Sequence, residues 1–192
     1  MSNFNSILPE KRETERLIIY NALMEEEQVL QKICESWNDK ELIEGSSFEN
    51  DYIKSCLTIG DLPPNPDATK DNYRLKSIQL KESGKVIGFY DLYYGYPAPE
   101  TIWISLFVMD KEYRKNGYAQ EAMEMIIRES TKTDFKKIGI GVHLKNWRGL
   151  RFWTKAGFNK VFAVFGDEIY SEDTYALIGL EKILDKGTKG EY

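Results

Sequence analysis

The chain has 192 residues, 42% hydrophobic and 30% charged, which suits one globular domain (1–192) with a well-filled core over about residues 13–182. A net charge of −5 argues against nucleic acid as a partner, since phosphate backbones want a basic face, and a single histidine with two cysteines excludes a histidine-rich metal site. No apolar run reaches about 18 residues and the N-terminus lacks a basic-then-apolar leader, so the expectation is a cytoplasmic protein with no membrane contact and no metal.

In chain order, residues 16–20 are β-rich and suit a strand. Residues 25–37 place Val29, Leu30, Ile33 and Trp37 at helical spacing, with Glu25, Glu26 and Glu27 favouring the N-terminal dipole. A second helix is expected over residues 48–59. Cys34 and Cys56 fall in these helices and read as reduced core residues. Residues 60–67 carry three of the six prolines and read as a substrate-side loop. Residues 73–81 and 86–94 flank Glu82-Ser83-Gly84-Lys85, a hairpin turn. A strand over residues 102–109 leads to the basic loop Arg114-Lys115-Asn116-Gly117. There Ala119, Ala122, Met123 and Ile126 begin a helical pattern. Residues 138–144, then Ala163 and Val164, then residues 175–181 read as further strands, and residues 185–192 as a tail that frays.

Strand, Gly-containing basic loop and helix N-terminus together suit a phosphate. The first N–H groups of a helix have no intrahelical acceptor, and the macrodipole adds positive character there. Gly117 can take a positive φ, and Arg114 and Lys115 add full charges. Neither Gly-x-x-x-x-Gly-Lys-Ser/Thr nor Gly-x-Gly-x-x-Gly is present.

Arg114, Gly117 and Ala119, followed by the block Asn146 to Phe158 with its Lys155-Ala156-Gly157-Phe158 ending, and preceded by Thr14-Glu15-Arg16-Leu17, resemble the GNAT superfamily of acyl-CoA-dependent N-acetyltransferases. The resemblance implies an α/β (α+β) fold. Its sheet would be twisted, mixed and mostly antiparallel, with about seven strands, splayed between the fourth and fifth and flanked by about four helices. It implies acetyl-CoA as acyl donor, a small-molecule or peptide amine as acceptor, and either a monomer or a homodimer. Carried onto this chain, Phe107, Val108 and Met109 offer backbone groups to the pantetheine arm. Arg114, Lys115, Asn116, Gly117, Tyr118, Ala119 and Gln120 meet the pyrophosphate, and Asn146 contacts the cofactor from the fifth strand. A backbone N–H of Val108 or Met109 is the expected oxyanion donor.

The usual acid and base depart from the family pattern. The Tyr of the second block is Trp153 here, and indole does not titrate usefully. The Glu positions of the fourth and fifth strands hold Trp103 and Gly141. A non-catalytic acyl-CoA-binding regulatory protein is therefore the alternative. Two groups could substitute in catalysis. His143 has an ordinary pKa near 6.5 that suits a general base. Asp91, in an otherwise apolar strand, could hold a cationic amine or relay its proton, with Tyr90, Tyr93 and Trp103 as an aromatic substrate wall.

Overall fold

The structure, a computed structural model, describes residues 8–185; the first seven residues and all but Asp185 of the expected tail lie outside them. Strands are β1 (Lys11–Glu13), β2 (Leu17–Asn21), β3 (Tyr73–Leu80), β4 (Val86–Tyr94), β5 (Thr101–Ile104), β6 (Phe107–Met109), β7 (Lys137–His143), β8 (Lys160–Gly166) and β9 (Ala176–Ile183). Helices are α1 (Glu27–Glu35), α2 (Lys40–Glu44), α3 (Tyr52–Thr58), α4 (Tyr118–Ser130) and α5 (Trp147–Lys155).

All strands join one sheet in the order β1-β2-β3-β4-β5-β7-β9-β8, with β6 paired to β4 off this path. Among the described residues only the β5–β7 pairing is parallel. The mixed, mostly antiparallel fold is as expected, but nine strands among the described residues replace about seven. One extra strand is the exposed β1, whose Lys-Arg-Glu has no apolar alternation to signal it. The other arises because the apolar run 102–109 breaks at Ser105–Leu106 into β5 and β6. Among the described residues five α-helices replace about four, since α2 is a five-residue turn too short to show periodicity. The second expected helix is also shorter than predicted, spanning Tyr52–Thr58.

Period-2 alternation sorts β4 between two cores. Tyr90, Leu92 and Tyr94 pack with Ala122, Met123 and Ile126 of α4 and with Trp153 of α5. Phe89 and Tyr93 face the other way, toward Leu30, Ile33 and Cys34 of α1 and Ile53 and Cys56 of α3. Both cysteines are buried and free.

The splay is explicit in the register. β5 pairs with β7 only from Thr101↔Lys137 to Ile104↔Ile140. Beyond it β6 pairs with β4, while Gly141, Val142 and His143 pair with β9 alone among the described residues. The two strands thus leave a gap, with β6 on one wall and the end of β7 on the other.

Candidate active site

The loop that leads from β6 into α4 has the features that suit an anion. Gly117 caps α4 with φ 82°, and Lys115 also has a positive φ of 67°. The first helical bond runs from the Glu121 N–H to the Gly117 carbonyl (3.0 Å), so the N–H groups of Tyr118, Ala119 and Gln120 have no intrahelical acceptor. A Cβ added at Gly117 would meet only the Arg16 guanidinium, at 3.4 Å, so no neighbouring backbone obstructs close approach there. These features fit a pyrophosphate.

The loop is held from behind. Glu121 accepts from Thr14 Oγ1 (2.5 Å), the Arg16 N–H (2.8 Å) and Arg16 Nε (2.6 Å). Arg16 then donates to the Asn116 carbonyl (3.1 Å) and lies 4.5 Å from the Tyr118 ring centre. The acidic residue in the first turn of α4 is thereby neutralised by a protein cation, leaving the helix dipole for a ligand. Asn116 Nδ2 donates to the Arg114 carbonyl (3.3 Å), and Gln120 donates to Glu124 (2.9 Å), turning its side chain along α4. Arg114 is half-buried, and its Nε donates to the Met109 carbonyl (2.9 Å), tying the loop to β6. Burial holds the Arg114 pKa below its ordinary value, against the pull of Asp39.

Within the gap, the ladder decides which backbone groups are available. The Asp91 N–H donates to the Leu106 carbonyl (3.0 Å) and the Asp110 N–H to the Ile87 carbonyl (2.9 Å). Direction alternates with period 2, so Val108, paired with Phe89, also turns its N–H and C=O to β4. Phe107 and Met109 turn theirs toward the gap. Of the two expected oxyanion donors, the register leaves Met109 and withdraws Val108. On the opposite wall Asn146 caps α5, its Oδ1 accepting from the Gly149 N–H (2.7 Å), so one side-chain atom is already used.

His143 is half-buried on the face shared with Gly139, Gly141 and Trp103, and its Nδ1 is buried without a hydrogen-bond partner. Burial lowers its pKa; nearby Glu44 opposes that and Lys40 adds to it. The imidazole is therefore neutral near pH 7 and can accept a proton. Lys40 and Glu44 form an ion pair (3.0 Å) on α2. The end of α2 reaches the sheet through Gly45, where an added Cβ would lie 2.8 Å from the Tyr175 ring.

Three residues expected on the acceptor wall are placed elsewhere. Asp91 is 1% exposed, with Oδ1 accepting from the Ser105 (3.0 Å) and Leu106 (2.8 Å) N–H groups and Oδ2 from the Tyr73 hydroxyl (3.3 Å). It is neither solvent-facing nor free to grip an amine. Tyr90 is 1% exposed on the opposite face of the sheet, stacked on Phe107 (5.7 Å). Tyr93 is 3% exposed, and its hydroxyl accepts from the Thr69 N–H (3.1 Å). Trp103 alone stays accessible. It lies over Gly139, where an added Cβ would sit 3.0 Å from the indole, and beside Gly141. Tyr96 and Phe162 meet it edge-on at 5.4 and 6.4 Å. Trp153 is 9% exposed among Phe107, Phe152 and Phe158. Trp147 is 72% exposed at the start of α5.

The sequence reading missed Arg16 and Glu121 as the loop's support, Arg148 and Asp39 (3.7 Å apart) beside Arg114, and Glu44 beside His143. Thr14-Glu15-Arg16 was legible as a strand entry. Its partner 105 residues later was not.

A splayed sheet with a basic, glycine-containing loop at the mouth of the gap is the arrangement that suits a coenzyme A-dependent acyltransferase. The model of the Acetyltransferase (GNAT) family matches residues 20–158, and the chain belongs to that family, whose members are N-acetyltransferases that use acetyl-CoA and act on amines. No curated protein sequence matches it. Solved structures similar to it include spermidine N-acetyltransferase from Vibrio cholerae in complex with CoA and spermine (11% identity, 90% of this chain and 98% of that one, TM-score 0.68). An acetyltransferase of the GNAT family from Bacillus anthracis is also similar (15%, 90% and 98%, 0.67). So is an acetyltransferase from Thermus thermophilus (17%, 88% and 97%, 0.64). Among the described residues no helix is long and apolar enough to cross a membrane.

Proposed function

We propose that this chain transfers the acetyl group of acetyl-CoA to the primary amine of a small molecule or peptide by direct attack. The observation that carries this is the gap between β6 and β7, with the Phe107 and Met109 N–H groups turned away from the ladder and the loop of Lys115 and Gly117 at its mouth. When bound, acetyl-CoA supplies the acyl thioester.

The chain's own residues have separate tasks. Arg114, Lys115 and Asn116, with the N–H groups of Gly117, Tyr118, Ala119 and Gln120, hold the pyrophosphate; Arg148 stands beside Arg114. Phe107 offers its N–H and C=O groups and Met109 its N–H to the pantetheine arm, the Met109 carbonyl being held by Arg114; Val108 fixes their direction from within the ladder, and Asn146 flanks the arm from the start of α5. The Met109 N–H donates to the oxygen that gains charge as the acyl carbon is attacked. His143 takes the amine proton, poised by burial and by Glu44. Trp103 walls the acceptor side. The departing thiolate, with an ordinary pKa near 8.5, can take its proton from water, which fits the absence of a titrating group at Trp153. The whole chain acts as one cytoplasmic domain, as a monomer or homodimer.

The test is thioester consumption with acetyl-CoA across polyamines, amino acids, aminoglycosides and peptides, beside calorimetry with CoA. Binding plus turnover with one acceptor class is expected. No CoA binding at millimolar concentration refutes the reading, and binding without turnover on any amine leaves the regulatory alternative.

A further inference from the structure

The break between β5 and β6 has an identifiable builder. In a continuous strand the N–H groups of successive residues point to opposite sides. Here the N–H groups of Ser105 and Leu106 both reach one atom, Oδ1 of Asp91, at 3.0 and 2.8 Å. The backbone must turn between them, so the strand that pairs with β7 ends at Ile104 and a new one begins at Phe107. The Asp91 N–H closes the same junction through the Leu106 carbonyl (3.0 Å). The carboxylate is braced from behind by Tyr73 of β3. Around Tyr73 lie Cys56 and Tyr52 of α3, and Tyr52 in turn donates to Asp61 (2.8 Å). A residue 14 positions earlier in the chain thus shapes the edge of the gap.

The consequence falls on register. With Asp91 opposite Leu106, Phe89 lies opposite Val108 and Gly88 opposite Met109. A slip of one residue would turn the Val108 N–H into the gap and the Met109 N–H into the ladder. Without the carboxylate, the Ser105 and Leu106 N–H groups lose their acceptor, a cost that such a slip or local unpairing would relieve.

We propose that Asp91 is the positioning residue for acyl transfer: it pins the strand break in the one register that aims the Phe107 and Met109 N–H groups into the gap. It touches no substrate and acts through the backbone. The inference rests on the acetyl-transfer reading above for its kinetic consequence, though not for its structural one.

Asp91→Asn keeps an acceptor oxygen, and Asp91→Ala removes it. At a temperature where both variants are folded, kcat is expected to fall about 100-fold in the alanine variant, the size of a lost oxyanion donor, and to stay within several-fold of wild type in the asparagine variant. Hydrogen exchange of the Ser105 and Leu106 amides, followed by NMR, should accelerate in the alanine variant and not in the asparagine one. A residue that only stabilises the fold would lower the melting temperature and leave both readouts unmoved. A folded alanine variant with wild-type kcat, or with both amides still protected, overturns the proposal. If the alanine variant does not fold, the asparagine variant decides: a loss of about 100-fold there means that the charge, not the acceptor oxygen, matters. If wild type acetylates no amine, the functional reading fails while the exchange measurement still tests the register.

Discussion

In the proposed reaction His143 concentrates the acceptor chemistry in one side chain. Its Nδ1 is buried without a partner, and burial holds it in the neutral form at pH 7. His143→Gln should lower kcat/KM for the amine by about 10²- to 10⁴-fold at pH 7 while CoA affinity holds, as rate assays and calorimetry would show. Glu44 pulls the imidazole pKa upward. Glu44→Gln should therefore move the acidic limb of the pH–rate profile to lower pH, and a limb that stays put would remove His143 from the role. Asp91 gives a prediction about stability. Burial, with help from Asp61, pushes its carboxyl up to about 7, against the two backbone N–H groups and Tyr73. Between about pH 4 and about pH 7 the folded chain holds a proton that the unfolded chain lacks, so stability falls as pH rises across that window. Burial raises the surrounding Tyr52, Tyr73 and Cys56, the last to about 11, so these remain neutral throughout. Asp91→Asn removes the effect: the melting temperature of the variant relative to wild type should be higher at pH 8 than at pH 4. A difference independent of pH would contradict it. In the sequence Asp91 was visible as an anomaly in an apolar strand, but its partners were not, because they are backbone N–H groups 14 and 15 residues away, which no side-chain pattern marks. The burial of Tyr90 and Tyr93 was hidden for a related reason. Hydropathy shows that a strand is buried on both sides, not which side faces a gap.

At the scale of elements, the loop–α4 junction was the most legible part of the chain. Its signal is local: a basic turn, Gly117, then helical periodicity. What sequence could not supply was the clamp behind it, in which Glu121 gathers Thr14 and Arg16 and Arg16 holds the Asn116 carbonyl. The two ends are about a hundred residues apart, and no spacing rule joins them. Gly117→Val should abolish CoA binding while circular dichroism stays unchanged, because a β-branched residue disfavours the φ of 82° and would crowd the phosphate. Arg16→Ala should weaken CoA several-fold rather than abolish it, since it loosens the loop without blocking it. Equal loss in both variants would show that the clamp is itself the anion site. The β5–β6 break and the short β1 and α2 escaped prediction because tertiary partners form them: a carboxylate from β4, pairing with β2, and Tyr175 against Gly45.

For the whole molecule, charge is distributed against its sum. The chain carries a net charge of −5, yet Arg114, Lys115 and Arg148 gather where the gap opens. The connection from β8 to β9 is acidic, with Asp167, Glu168, Glu172 and Asp173 all exposed, and it ends at Tyr175, which packs on the end of α2 beside Glu44. A cationic amine is thus drawn by the molecule as a whole and by this rim. The cofactor's phosphates are repelled at long range and attracted only close in. Salt screens the two unequally, because the Debye length is about 10 Å at 0.1 M and contacts inside the loop are shorter than that. The KM of a multiply charged amine should therefore rise steadily as KCl increases from low to physiological strength. The Kd of CoA should change less over the same range, long-range repulsion and short-range attraction being screened together. Parallel titrations by rate assay and calorimetry would measure both. A CoA Kd that climbs as steeply as the amine KM would mean that the phosphates are held by exposed charges alone, and that the N–H groups of Tyr118, Ala119 and Gln120 contribute little.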